Sequence, residues 1–321
     1  MKKVLVTGAT GHLGYNLCLE LKKYYHVFAF CRKNSNTKNL KNNHINIIYG
    51  DVNKFNDFYS ASIGKNYVIH AAAIYSHEEK FRQITLKTAK KSAENFCKLF
   101  LKLKIDKGIY ISSVSVLGLN YNQILKKNIK IIDSSNDPYV NSKLTSYKIV
   151  KKEIKKYKFP ISLVLPSSMI GLNDFRITPS TSNIKNMIRT PIGFYVQGGI
   201  NLINVRDVCR SIVLMLNKKN NKTYILSGHN IKIKDLVKRV RRIANKSDFS
   251  LMLSKNFFLF LHYLFKFTGL NLFISFPLNL NQIKNIGKFS YFDCLDAKKD
   301  NIFRNTPLDK TLRQCIKSLD Y

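Results

Sequence analysis

At 321 residues the chain is long for one simple core, and 45% hydrophobic content argues against disorder. Its 54 lysines and arginines against 19 acids give a formal +35, a surplus that pulls toward phosphates or anionic lipid. Lysine and asparagine are scattered along the whole chain with no recognition helix or interleaved aromatic platform, so nucleic acid is not an expected partner.

In chain order, Lys3 to Val6 reads as a buried strand, and Gly8 follows too early for a signal-peptide apolar core. Gly11 to Lys23 reads as a helix, with Leu13, Leu17 and Leu21 at four-residue steps. Strands follow at His26 to Phe30, Ile45 to Tyr49, Tyr67 to His70 and Lys107 to Ile111, the last after a helix from Ser92 to Lys104. A helix from about Pro138 to Lys156 and a sixth strand, Ile161 to Leu165, complete the first half. This alternation predicts an α/β fold with a parallel sheet covered on both faces.

After Pro166 the pattern becomes loop-rich, with Pro179, Pro191, Gly171, Gly193, Gly198 and Gly199. Ile203 to Val208 then leads into an apolar helix through Leu216, Tyr224 to Leu226 reads as a short strand, and the rest reads as helix and loop. The spacing therefore predicts a first domain over 1–166 and a substrate lobe over 167–321, with 200–226 returning to the first domain.

The run Phe257 to Leu280 is broken by His262, Lys266, Gly269 and Pro277 and does not reach the ~18 uncharged residues a spanning helix requires. Phe257, Phe258, Leu261, Leu264 and Phe265 fall at helical spacing, which predicts a core-facing helix. A weak peripheral contact with anionic lipid is the alternative. The six cysteines, Cys18, Cys31, Cys97, Cys209, Cys294 and Cys315, form neither a C-x-x-C pair nor a zinc spacing. Buried reduced thiols, a cytoplasmic location and no metal are expected.

Several segments carry chemistry. The first is Thr7-Gly8-Ala9-Thr10-Gly11-His12-Leu13-Gly14, between a strand and a helix. Gly8 permits the turn, Gly11 lets backbone approach a pyrophosphate, and Gly14 lets helix and strand pack closely. Free N–H groups at the helix start favour the anion. The second strand ends in Phe30-Cys31-Arg32-Lys33 rather than in an acid. Arg32 and Lys33 suit the 2′-phosphate of NADP, whereas a carboxylate would suit NAD. Asp51 and Val52 follow the third strand, where an Asp can accept from an adenine amino group, and Ala71, Ala72 and Ala73 leave room for a cofactor to cross the sheet edge. His70 reads as structural.

The last segment pairs Ser113, at the end of the fifth strand, with Tyr139 and Lys143, four apart on one helical face. A nearby ammonium favours phenolate, so Lys143 is expected to lower the Tyr139 pKa and ready it for proton exchange with a carbonyl or alcohol. Ser113 would hold the substrate oxygen, and Lys143 the nicotinamide ribose as well.

TGATGHLG, GDV, HAAA, YISSVSVLG and PYVNSK, in this order, resemble the extended short-chain dehydrogenase/reductases of the NAD-dependent epimerase/dehydratase family. LPSSMIGLNDFRITPS, YVQGGINLINVRDV and TYILSGHNIKIKDL are similar to its dihydroflavonol-4-reductase-like branch and to the hopanoid-associated sugar epimerases within it. The resemblance implies a Rossmann-type doubly wound parallel sheet with a smaller C-terminal α/β substrate lobe. It implies a Ser113–Tyr139–Lys143 triad and cofactor contacts at Gly8, Thr10, Gly11, His12, Leu13, Gly14, Arg32, Lys33, Asp51, Val52, Ala71, Ala72, Ala73, Tyr139, Lys143 and Pro166. A homodimer is implied on the same ground only.

The chain departs from the family pattern in three places. The N-x-x-G-T-x-N segment reads Ala89, Ser92, Ala93 and Asn95; the acid pair of the sugar dehydratases is replaced by Val114 and Ser115; and Asn201 and Leu202 stand where nucleotide-sugar epimerases carry an Arg. The expected activity is NADP-dependent reduction of a carbonyl or oxidation of an alcohol. A sugar epimerase and a non-catalytic NADP-binding protein stay open as alternatives. Substrate contacts are expected between Ser115 and Tyr121, between Ile170 and Pro191, and in the C-terminal lobe.

Overall fold

The computed structural model describes residues 1–119, 124–125, 131–219, 221–267 and 283–319. The first half runs β1 (Lys3–Thr7), α1 (His12–Leu21), β2 (His26–Cys31), α2 (Lys38–Asn42), β3 (Asn46–Tyr49), α3 (Phe55–Ser62), β4 (Tyr67–His70), α4 (Arg82–Lys102), β5 (Lys107–Ile111), β6 (Ile124–Leu125), α5 (Pro138–Tyr157) and β7 (Ile161–Pro166). The second half adds β8 (Ser168–Ile170), α6 (Pro179–Arg189), β9 (Gly193–Tyr195), β10 (Gly199–Asn204), α7 (Val205–Leu216), β11 (Thr223–Leu226), β12 (His229–Lys232), α8 (Ile233–Ile243), β13 (Ser250–Met252), α9 (Lys255–Phe267), β14 (Phe289–Phe292), α10 (Leu295–Lys299) and α11 (Leu308–Lys317).

Seven strands form one parallel sheet in the order β11-β7-β5-β4-β1-β2-β3. Its central strands are apolar runs because both faces are covered: every residue of β4, β5 and β7 is buried. One face packs Leu17 and Leu21 of α1 with Ile212 and Met215 of α7. The other packs Phe96 and Leu99 of α4 with Leu144 and Tyr147 of α5. Each such side chain contributes about 1.5–3 kcal/mol by leaving water. The order reverses between β1 and β4, and open parallel sheets bind ligands beyond the carboxyl ends of the strands at such a point.

Beyond β7 the chain alternates between two bodies. β10 joins β12, β14, β6 and β8 in a second sheet, then α7 returns to pack on α1 and β11 closes the edge of the large one. Of residues 200–226, the first few therefore belong to the small sheet. The lobe's own core joins Ile184 and Ile188 of α6, Leu236 and Val240 of α8 and Leu312 of α11.

Three expectations need correction. β12, β13 and β14 stand in the stretch expected to be helix and loop, because they are short and pair with strands distant in sequence. α4 starts at Arg82, not Ser92; its first turns mix exposed and partly buried residues and lack an apolar stripe, so the sequence pattern does not announce them. α9 is not core-facing: Phe257 and Leu264 are exposed, and no described side chain of this helix is buried. Residues 268–280 of the apolar run lie outside the described residues, among which no helix is long and apolar enough to cross a membrane. All six cysteines are free and buried.

Candidate active site

The glycine turn is built by close approach. Gly8 has φ +68°, and a Cβ there would lie 2.7 Å from the Ala72 backbone nitrogen. A Cβ on Gly14 would lie 2.1 Å from the Gly8 carbonyl oxygen, so α1 reaches β1 only without one. The Gly11 N–H closes the turn on the Gly8 carbonyl at 3.0 Å. Thr7 Oγ1 accepts from the Ala72 N–H at 3.2 Å and lies 3.0 Å from His70 Nδ1. His70 is fully enclosed against Tyr110, and burial, then the charge of Lys143, lowers its pKa to about 3. It is a neutral tie between the ends of β1 and β4.

Beyond this turn lies a cavity of about 350 Å³ whose wall includes Gly8, Thr10, Gly11, Arg32, Asp51, Val52, Ala71, Ala72 and Ala73. A nicotinamide dinucleotide fits here, because the wall is bare backbone where a pyrophosphate would lie and carries a guanidinium at the end of β2. Asp51 is held in place, its Oδ1 accepting from the Asn53 N–H at 2.9 Å. Asn95 braces the same corner by donating to the Val52 carbonyl at 2.8 Å, a packing role for the surviving Asn of the altered segment.

Other expected contacts lie outside this wall. Lys33 is exposed in the turn after Arg32. The His12 side chain is buried toward the second half, its Nε2 3.1 Å from the Leu172 carbonyl oxygen. Leu13 packs into the core and Gly14 against Gly8. Pro166 closes β7 in register with Leu226.

Arg176 joins the wall from the segment between β8 and α6, donating to Thr10 Oγ1 at 3.1 Å. Sequence reading does not place it there, because it is separated from Thr10 by most of the large sheet. Asn120 and Tyr121, at the end of one expected substrate stretch, lie outside the described residues.

One strand over, at the carboxyl end of β5, Ser113, Tyr139 and Lys143 converge. Ser113 caps a short 3₁₀ turn, its Oγ accepting from the Ser115 N–H at 3.1 Å. The Ser113 hydroxyl lies near enough to the Tyr139 phenol to lower its pKa. Lys143 is buried, with Nζ donating to the Ile111 carbonyl at 3.2 Å.

The electrostatics differ from expectation. Burial pushes the Tyr139 phenol up to about 12, Ser113 pulls it down, and Asp137 adds to the rise. The rise is opposite to the lowering expected from Lys143, whose own value burial brings down to about 8.

Asp137 caps α5, with Oδ1 accepting from the Val140 N–H at 3.0 Å and Pro138 in the first turn. Its Oδ2 lies 2.6 Å from His77 Nδ1, and His77 Nε2 lies 3.0 Å from the Tyr75 hydroxyl. The Tyr75 and His77 rings stand 4.4 Å and 5.2 Å from that of Tyr139. Sequence reading does not single out Asp137, although Asp before Pro at a helix start is a recognisable cap signal.

Residues 4–227 match the family model described as the NAD dependent epimerase/dehydratase family. A protein from Synechocystis sp., provisionally named a dihydroflavonol 4-reductase, is 29% identical over 252 residues, 74% of this chain and 71% of its own. The crystal structure of gox2253 superimposes with a TM-score of 0.86 at 24% identity, covering 100% of this chain and 98% of that one. A UDP-glucuronic acid 4-epimerase from Bacillus cereus, in complex with UDP-glucuronic acid and NAD, aligns at 0.78 and 20% identity over 99% of each chain. At those identities the two structures establish the fold alone.

Proposed function

The chain belongs to the NAD dependent epimerase/dehydratase family and is an NAD(P)-dependent oxidoreductase or epimerase, and from that premise we propose that it reduces a carbonyl substrate, or oxidises the corresponding alcohol, with NADP. The observation that carries the reading is the placement of Ser113 near Tyr139, one helical turn from the buried Lys143 and one strand from the glycine-lined cavity. Arg32 in that cavity's wall favours NADP.

When bound, the dinucleotide supplies or accepts the hydride. Ser113 orients the substrate oxygen by donating a hydrogen bond. Tyr139 gives that oxygen its proton during reduction and takes it back during oxidation. Lys143 offers its ammonium to the developing phenolate and to a ribose hydroxyl. Gly8 and Gly11 admit the pyrophosphate, with Thr10 and Arg176 beside it.

Asn201 favours a reductase over a nucleotide-sugar epimerase. It is buried and occupied, accepting from the Gly228 N–H at 2.9 Å and donating to Asn230 Oδ1 at 2.6 Å, so it offers no diphosphate clamp. Val114, next to Ser113, is buried and apolar, which leaves no acid/base pair there for water elimination.

The test is a screen of carbonyl substrates with NADPH and NADH, following absorbance of the reduced nicotinamide. Steady consumption of NADPH supports the proposal; an isomerised sugar with no net absorbance change points to an epimerase. NADP should raise the melting temperature more than NAD, and the opposite preference would overturn the reading of Arg32. Tyr139→Phe should keep that thermal shift and lose about 10²–10⁴-fold in kcat. Full activity in this variant would indicate a non-catalytic role.

A further inference from the structure

Helix α9 is apolar without being internal. Phe257, Phe260, Leu264 and Phe267 are exposed and recur at steps of three and four, so they share one face. Phe260 is 64% exposed and Phe267 92%. Just ahead of the helix, Phe249, Leu251 and Met252 are exposed in and before β13, as is Phe194 on its partner strand β9. Each phenylalanine left in water forfeits about 1.5–3 kcal/mol of burial. A run of this kind marks a contact surface rather than scattered surface residues.

Charge selects the occupant. The chain carries +35, Lys255 opens α9, and α8, which packs on β9 and β13, brings the exposed Lys234 to the same lobe. The ammonium of Lys234 stands 5.9 Å from the Tyr195 ring of β9. An aromatic stripe that opens on a lysine, in a chain of +35, matches lipid phosphates above and acyl chains below. A second copy would instead bring two strongly cationic molecules face to face. The helix spans residues 255–267, a length of about 20 Å at ~1.5 Å per residue, short of the ~30 Å hydrocarbon core. We propose that α9 docks on an anionic bilayer, lying in the plane of the interface with Phe257, Phe260, Leu264 and Phe267 inserted.

The chain contains no tryptophan, so Phe260→Trp places a single reporter in the stripe without changing its chemistry. With phosphatidylglycerol–phosphatidylcholine vesicles, its emission should shift to the blue and be quenched by brominated acyl chains. Tyr24→Trp, at an exposed site after α1, should do neither. Co-sedimentation of the unsubstituted chain should persist at ~0.5 M salt, where purely electrostatic attachment is screened. The double variant Phe260→Ser/Phe267→Ser should reduce the bound fraction there by about tenfold or more.

Unshifted emission from the Phe260→Trp variant, or an equal shift at both reporters, overturns the proposal. So does binding that salt abolishes and the double variant leaves unchanged, which is charge adsorption alone. A dimer seen by light scattering that dissociates in the double variant also overturns it, by assigning the stripe to a second copy. The carbonyl-reduction assay in detergent-free buffer is read separately, so failure here leaves the active-site reading untouched.

Discussion

Tyr139 and Lys143 stand one helical turn apart and are moved by the same force in opposite directions. Desolvation disfavours the charged form of each, holding the phenol near 12 and the amine near 8. At neutral pH the phenol therefore keeps its proton and is ready to give it to a carbonyl. The group that titrates in the working range is Lys143. Below about 8 it is an ammonium that can stabilise a nascent phenolate; above that it is neutral. The kcat for carbonyl reduction should thus fall as pH rises through about 8, and Lys143→Met should give a low profile without that limb. Steady-state rates at saturating NADPH check this; a limb retained in the variant would assign it to another group. His77 acts at one remove, tying Asp137 to Tyr75 beside the Tyr139 ring. Losing a charge-assisted hydrogen bond of ~1.5–3 kcal/mol should let that ring cluster loosen, so His77→Ala is expected to lower kcat/KM about tenfold. The NADP-induced thermal shift, read alongside, should stay intact.

The start of α5 is where a local stability device positions a reacting group. Asp137 supplies the cap, and Tyr139 follows in the first turn. Burial raises the Asp137 pKa, but His77 and the Val140 N–H outweigh it and hold the carboxyl below the usual carboxylate range. A lowered folded-state value means stability that is present above the unfolded pKa of ~3.9 and lost as pH falls through the folded one. Asp137→Ala should cost about 1–2 kcal/mol at neutral pH, with less at the acid end, and should depress kcat with it. Thermal melts across pH check both halves; an equal loss at every pH would exclude a charged role.

Elements of this kind differ in how far sequence discloses them. The large sheet is legible because burial on both faces makes its central strands continuous apolar runs. The glycine turn is legible because the positive φ of Gly8 and the approach of Gly14 to the Gly8 carbonyl are local demands, set within seven residues of chain. Strands β12, β13 and β14 are short, and β14 pairs with β10 across some ninety residues, so no local pattern announces them. The spacing of α9 is the same whether its apolar face meets a core or faces outward. The direction of the Tyr139 shift is hidden from sequence because burial, invisible in a four-residue spacing, is its largest cause.

The whole molecule is a cation whose two bodies are sewn together by repeated chain crossings. At one seam a Cβ on Gly228 would lie 2.1 Å from the Leu202 carbonyl oxygen, so β11 passes into β12 directly against β10. The segment carrying Arg176 belongs to the second half of the chain yet reaches Thr10 in the first turn. The cavity is therefore bordered by guanidinium groups from both halves, Arg32 and Arg176, within a field of +35. Such a field speeds the arrival of anions, and salt removes the advantage. NADPH carries a phosphate that NADH lacks. On the NADP reading, its association rate should fall several-fold between ~0.05 and ~0.5 M salt, more steeply than that of NADH. Arg32→Ala should erase most of the difference in affinity between the two cofactors while leaving the salt response common to both, because the general field persists. Stopped-flow nicotinamide fluorescence resolves these effects. If Arg32→Ala leaves the NADPH preference intact, the 2′-phosphate is held elsewhere, and the exposed Lys33 in the adjoining turn becomes the residue to replace.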